Sequence, residues 1–314
     1  MKEGPRNVAA SVHARLLAGA QARREDFNLT LQRYVAERFL YRLGESPHRS
    51  QFVLKGAMLF ALWGGSLYRA TRDLDLTGYT EDDSQSLVTI MQEICVVSCP
   101  GDGLTFQPAT VRAEPIRTQS EYRGFRVKLQ ALLGTARLAL QIDVGFGDVI
   151  EPPPREERYP VLLEGPAPRI RAYPREAVIA EKLHAMIVLG AANSRYKDFY
   201  DVFVLAKHFS FSGPVLARAI RVTFERRRPP LPEGQPVALT PAFYSDPKRA
   251  AEWQRYLSRN SLPGAPPDFA AVGEHLQTFL GPIWRALEAS RAFADAWAPA
   301  GPWAPAAPGR ELRT

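Results

Sequence analysis

Two aspartates one residue apart, Asp73 and Asp75, have the type and spacing to do chemistry. They sit in Asp73-Leu74-Asp75-Leu76, an alternation that reads as a strand over 72–77. Strand side chains alternate between faces, so both carboxylates point one way and both leucines point into a core. Two carboxylates this close repel unless a cation lies between them. Mg²⁺ suits that position, because it takes oxygen ligands and is commonly held by one or two carboxylates plus substrate phosphates. Upstream, Lys55-Gly56 precedes an apolar run over 57–63 and the polar loop Gly64-Gly65-Ser66. A glycine before a short helix lets backbone N–H groups approach a phosphate closely. The plainer alternative is a half-buried strand with two solvated aspartates.

A third carboxylate stands on a second patterned stretch. Gly124–Leu133 and Ala136–Val144 alternate on either side of Gly134-Thr135, the signature of a hairpin. Leu138, Leu140, Ile142 and Val144 share one face of its second strand, and Arg137, Ala139, Gln141 and Asp143 share the other. If that strand neighbours 72–77, Asp143 joins Asp73 and Asp75 in one acidic cluster. Otherwise it is a strand-end aspartate before the turn glycines Gly145 and Gly147. Further on, Lys182 lies within an apolar helical stretch bearing Val178, Ile179, Leu183, Met186 and Ile187. Such a lysine either snorkels to solvent or presents its ammonium to an anion. On the helix predicted next, Asp198 and Asp201 share a face, and Lys197 is spaced to pair with Asp201. The ordinary reading there is a surface ion pair.

The elements that must position these residues follow from periodicity. Residues 8–44 read as helix in two runs, the second bearing Arg38 and Arg42, with Arg49 beyond its end. These arginines read as a solvated face or as contacts to nucleic acid. Asp82 to Ser86 offers caps for a helix near 84–98. Thr110–Ile116 and Val161–Leu163 are strand candidates. Helices are expected from Pro174, over 195–206, over Pro214–Glu225, after Ser245-Asp-Pro, and over Val272–Leu287. Arg226 to Arg228 next to two prolines read as a solvated loop or a contact patch. The organisation expected is an N-terminal helical arm (1–50), a catalytic core (51–150), a mostly helical domain (151–297) and a disordered Pro/Ala-rich tail (298–314).

The chain has 314 residues, 46% of them hydrophobic and 23% charged, an ordinary globular composition. Its formal charge of +7 permits an anionic partner such as nucleic acid. The two cysteines, Cys95 and Cys99, make no disulfide framework and suit a reducing compartment. No apolar run reaches the ~20 residues that cross a bilayer, and no hydrophobic leader opens the chain. The expectation is a cytoplasmic protein with no membrane partner.

Lys55-Gly56-Ala57 followed by Arg69-x-Thr71-x-Asp73-x-Asp75 resembles the first motif of the polymerase-β-type nucleotidyltransferases. More narrowly it resembles the AbiEii/AbiGii toxin family, which includes the mycobacterial MenT toxins. Ala180-Glu-Lys182-Leu resembles the family's second block, whose lysine contacts the nucleotide. Asn193-Ser-Arg195-x-Lys197-Asp198-x-x-Asp201 resembles the last block, with its essential aspartate. Where the family usually has a second glycine, this chain has Ala57. The resemblance spans residues 52–206. It implies an α+β fold: a polymerase-β-like core of a small mixed sheet with flanking helices, followed by a helical C-terminal region. It implies Mg²⁺ on Asp73, Asp75 and Asp143, and an NTP met by Lys55, Gly56, Arg69, Thr71, Lys182, Arg195 and Lys197. Asp198 or Asp201 would orient Lys182 or the acceptor hydroxyl. It implies the toxin of a bacterial toxin–antitoxin, phage-defence type pair, moving NMP to an RNA acceptor such as a tRNA 3′ end, with a separately encoded antitoxin protein as partner. Arg38, Arg42, Arg195 and Arg226 to Arg228 agree with an RNA partner. The alternatives are transfer to a protein or small molecule, as in antibiotic adenylyltransferases, and a non-catalytic binding module of the same fold.

Overall fold

The computed structural model describes residues 7–64, 69, 71, 73–80, 83–116, 124–227, 230–260, 262 and 264–306. The loop residues Gly65 and Ser66, Arg72, Asp82 and Arg228 lie outside them. The chain divides into two compact units, 1–148 with 154–173, and 149–153 with 174–314.

The first unit opens with α1 (Val8–Arg23) and α2 (Phe27–Glu45), capped by Asn7 and Asp26, whose side chains accept from backbone N–H groups of the first turn. Then follow β1 (Phe52–Lys55), α3 (Leu59–Gly64), β2 (Asp73–Gly78), α4 (Ser84–Cys95), β3 (Leu104–Pro115), β4 (Gly124–Leu133), β5 (Ala136–Phe146), β6 (Arg155–Arg158) and β7 (Arg169–Ala172). The strands form one seven-stranded sheet in the order β3-β4-β5-β2-β1-β7-β6. It is mixed: β1 runs antiparallel to β2 and parallel to β7, and β2 runs parallel to β5. The hairpin expected at 134–135 forms as read, with Leu133 opposite Ala136. Leu74, Leu76, Ile142 and Val144 are buried on one face of the sheet, together with the apolar sides of α2 and α4. The face of the aspartates is half-buried to open.

Three expectations change. No strand forms at Val161–Leu163. Prolines at 160, 166 and 168 break the stretch, and the Leu162 N–H donates to Glu37 Oε2 at 2.8 Å instead of to a strand. The strands of this region are β6 and β7 on either side. Helix α4 stops at Cys95, so Cys99 lies beyond it, and both thiols are free and buried. Arg38 and Arg42 are not a solvated face: they are 3% and 4% exposed. Arg42 pairs with Asp102 at 2.6 Å and stacks over Phe106, and Arg38 pairs with Glu37 at 2.6 Å and donates to Pro166 O. Both guanidiniums are committed to the core and are removed from the candidate nucleic-acid contacts.

Burial pushes the Glu37 carboxyl up to about 7, against the opposing pull of Arg38. A folded-state pKa above the ordinary carboxyl value means that the folded chain holds this proton more tightly than the unfolded one. The stability that Glu37 contributes is therefore complete below its ordinary value and lost as pH rises through about 7. The Glu37→Gln variant is expected to flatten the fall in Tm between about pH 5 and 7.5. Parallel Tm–pH profiles for wild type and variant would refute this.

The second unit is helical: α5 (Arg175–Leu189), α6 (Tyr196–His208), α7 (Gly213–Arg226), α8 (Pro241–Tyr244), α9 (Pro247–Arg259) and α10 (Phe269–Glu288). Strands β8 (Phe211–Ser212), β9 (Ala296–Trp297) and β10 (Trp303–Ala304) make a small antiparallel sheet in the order β10-β9-β8. Tyr196, Phe199, Phe243, Trp253 and Phe269 form one aromatic cluster at the heart of this unit. Of the Pro/Ala-rich stretch from 298, residues 298–306 are described and 307–314 lie outside the described residues. The Trp303 ring stacks on Phe279, and its indole N–H donates to the Phe279 carbonyl at 2.7 Å. Aromatic burial of this size offsets the chain entropy that a Pro/Ala composition leaves uncompensated.

Candidate active site

In the first unit the sheet register lines up the charged residues. Lys55 on β1 is opposite Asp75 on β2. Asp75 is opposite Asp143 on β5, and Asp143 is opposite Arg126 on β4. The next row along the same face is Asp73, Gln141 and Lys128. The condition set by the sequence is met: Asp143 is the direct neighbour of Asp75. Asp73 and Asp75 are half-buried while Leu74 and Leu76 are fully buried, as alternation requires. Gln141 Nε2 donates to Asp73 Oδ1 at 2.7 Å. Thr71 donates through its hydroxyl to the Asp73 carbonyl, and Arg69 is half-buried in a bend.

Gly56 has φ +74°, and a Cβ built there would lie 1.9 Å from Asp75 Oδ2. Its lack of a side chain therefore makes room for the Asp75 carboxylate. Lys55 Nζ pairs with Asp148 Oδ2 at 3.0 Å. Asp148 is 7% exposed, and the same oxygen accepts from Thr77 and Tyr173 hydroxyls at 3.3 and 3.2 Å. Gly145 leaves space for the Lys55 ammonium, since a Cβ there would meet Nζ at 2.9 Å.

The fit to a metal is partial. Both oxygens of Asp143 are taken by Arg126, through Nε at 2.9 Å and Nη2 at 2.8 Å. Those bonds also hold the Arg126 guanidinium in its charged form. Among the described residues no group of three or more His, Cys, Asp or Glu is arranged to hold a metal ion. Asp73 and Asp75, on one face and beside each other, match a hard cation completed by phosphate oxygens. Asp143 matches that role only once Arg126 lets go.

In the second unit Lys182 does not snorkel. Its ammonium lies 2.8 Å from Asp198 Oδ1 and 2.8 Å from Asp201 Oδ2. Asp201 therefore pairs with Lys182, whereas Lys197 points to solvent. Both aspartates are 1% exposed, so this is a buried cluster and not the surface pair expected. Arg195 Nε adds a third ion pair, to Asp198 Oδ2 at 2.7 Å. Burial alone would raise the Asp198 pKa, but Lys182 and Arg195 outweigh it and hold the carboxyl below its usual range. Asn193 accepts from the Arg195 N–H, and Arg249 donates to the Asn193 carbonyl at 2.7 Å, fixing the turn into α6.

Sequence reasoning missed Asp148, Arg126 and Arg249. Arg126 could have been found, because it shares the polar face of the hairpin with Asp143. Asp148 and Arg249 carry no local signal; their partners are distant in sequence.

Residues 38–275 match the family model described as nucleotidyl transferase AbiEii toxin, type IV toxin–antitoxin system. No curated protein matches the chain. Two H. pylori crystal structures are similar to it. One, described as a nucleotidyltransferase, is 17% identical with TM-score 0.45, covering 82% of this chain and 95% of its own. The other, JHP933, is 17% identical with TM-score 0.46, covering 85% and 95%. Among the described residues no helix is long and apolar enough to cross a membrane.

Proposed function

We propose, for a chain that belongs to the AbiEii family of nucleotidyl transferase toxins of type IV toxin–antitoxin systems, that it moves NMP from an NTP to an RNA acceptor, a tRNA 3′ end being the model substrate. The family makes it a transferase with an antitoxin partner. The observation that carries the finer reading is the pair Asp73 and Asp75 on one strand face, with Asp143 in register beside Asp75. Nucleotidyl transfer asks little covalent chemistry of a protein; it needs positive charge on the phosphates and an aligned nucleophile. Asp73 and Asp75 would hold Mg²⁺, joined by Asp143 when Arg126 is released, and bound Mg²⁺ would supply charge neutralisation at the phosphates. Lys55, steadied by Asp148, is a cation adjacent to Asp75 that suits a phosphate oxygen. Gly56 keeps Asp75 in place. Arg69 and Thr71, in the same unit, remain candidate NTP contacts.

The test is incubation of the full chain with each labelled NTP, Mg²⁺ and total tRNA, beside Asp73→Ala. Label on RNA is expected with wild type, falling by at least about 100-fold in the variant, the upper range for disturbed metal sites. No transfer with any NTP or divalent metal would overturn the reading. Label migrating with protein would move the acceptor to another class.

A further inference from the structure

Beyond the carboxylates, the same face of the sheet stays open to solvent across β5, β4 and β3. In the row of Asp73, the register runs Asp73–Gln141–Lys128–Arg112. Neighbouring strands are about 4.8 Å apart, so this row extends roughly 14 Å sideways from Asp73. Lys128 and Arg112 are exposed, as is Arg137, which shares this face of β5 four residues before Gln141. Their opposing charge is Glu114, which pairs with Lys128; both side chains are more than half exposed. Among the described residues Arg112 donates to the carbonyls of Ala109 and Val111 and forms no ion pair. Between the cations lie Gln130 and Ala139, exposed and uncharged. A pair this exposed contributes little to stability, so the folded state itself has small use for three cations on this face.

We propose that the open face of β3, β4 and β5 is the track for the sugar–phosphate backbone of a single-stranded RNA acceptor, with Arg112, Lys128 and Arg137 meeting its phosphates. The inference rests on the reading that the acceptor is RNA. The row leads towards Asp73, so a strand lying along it delivers its end to the carboxylates. It is also longer than a triphosphate needs, which favours a polymer over the NTP.

The experiment measures binding of a fluorescent single-stranded RNA of tRNA 3′-end sequence to the full chain, across a salt series. The triple variant Arg112→Gln, Lys128→Gln, Arg137→Gln is compared with wild type. A control carries the same change at Arg155, Arg158 and Arg169, exposed arginines on the β6–β7 edge. Losing three phosphate contacts should lower the slope of log K against log salt by about 2 and weaken binding on the order of 100-fold at 0.1 M salt. The control should bind as wild type, and equal melting of all three proteins shows that folding is unaffected. Wild type that binds RNA as tightly as the triple variant overturns this inference alone. An equal loss in the control also overturns it, since binding would then follow net charge. Wild type that does not bind RNA at all overturns this inference together with the RNA reading above.

Discussion

Gly56→Ala is expected to abolish nucleotide transfer nearly as completely as loss of Asp75 itself. The methyl carbon would sit 1.9 Å from Asp75 Oδ2 and 2.6 Å from its carboxyl carbon, closer than any real contact. The Asp75 carboxylate must leave, and because Asp75 Cβ would also lie 2.8 Å away, the backbone must shift as well, at a φ of +74° that costs a non-glycine residue about 1–2 kcal/mol. Transfer should fall about 10–100-fold or more, the range for disturbing the surroundings of a metal ligand, measured on protein whose folding is checked by its Tm. Gly145→Ala is the contrast. Its Cβ meets the mobile end of Lys55 at 2.9 Å, at a backbone conformation open to alanine. It should shift the Lys55 ammonium off Asp148, weaken NTP binding and spare Asp75. Gly56→Ala with wild-type turnover would show that the position of Asp75 is not critical, and the proposed site would fail with it.

Lys182→Met is expected to have the largest effect on stability. It removes the ammonium that pairs with both Asp198 and Asp201, carboxylates that are 1% exposed. Breaking a buried pair in this way costs about 3–5 kcal/mol near neutral pH. The pH dependence has a definite sign. In wild type the depressed Asp198 pKa contributes stability above the ordinary carboxyl value, and that contribution is lost as pH falls through the lower folded value. Without Lys182, the largest pull against burial is gone and the Asp198 carboxyl is expected to rise. The deficit of the variant should then shrink as pH is lowered from about 7.5 to 5. Adding Asp201→Asn to Lys182→Met removes one of the two buried carboxylates that Lys182 pairs with and should recover part of the loss. Urea unfolding of the three proteins at both pH values decides it. A Lys182→Met protein as stable as wild type near neutrality would mean that water reaches the cluster and screens it.

Much of the candidate site was legible because strand alternation is a local rule. Asp73 and Asp75 facing together, Leu74 and Leu76 facing inward, and the hairpin from Gly124 to Val144 all follow from period-two patterning. Cap residues located several of the helices equally well; Asp246 ahead of α9 accepts from the Lys248 N–H as such a residue should. What patterning cannot supply is strand order. That β5 lies next to β2, and so Asp143 next to Asp75, depends on which apolar faces bury against α2 and α4. Arg38 pairs with its sequence neighbour Glu37, but the Pro166 carbonyl it also donates to lies 128 residues away, and the Asp102 carboxylate of Arg42 lies 60 residues away. On the helix their spacing is that of any solvated stripe, so only the closing of distant segments over α2 buried these two apparent surface charges and gave Arg42 its carboxylate. Lys182 is similar: its helix could be read, but whether its ammonium met water or carboxylates was decided when α6 buried Asp198 and Asp201. By itself, then, the sequence determined the elements and the direction of their side chains, because these depend on neighbours a few residues away. The tertiary structure alone decided which charges are paired and which are left open, because burial and strand order join residues that the chain keeps far apart.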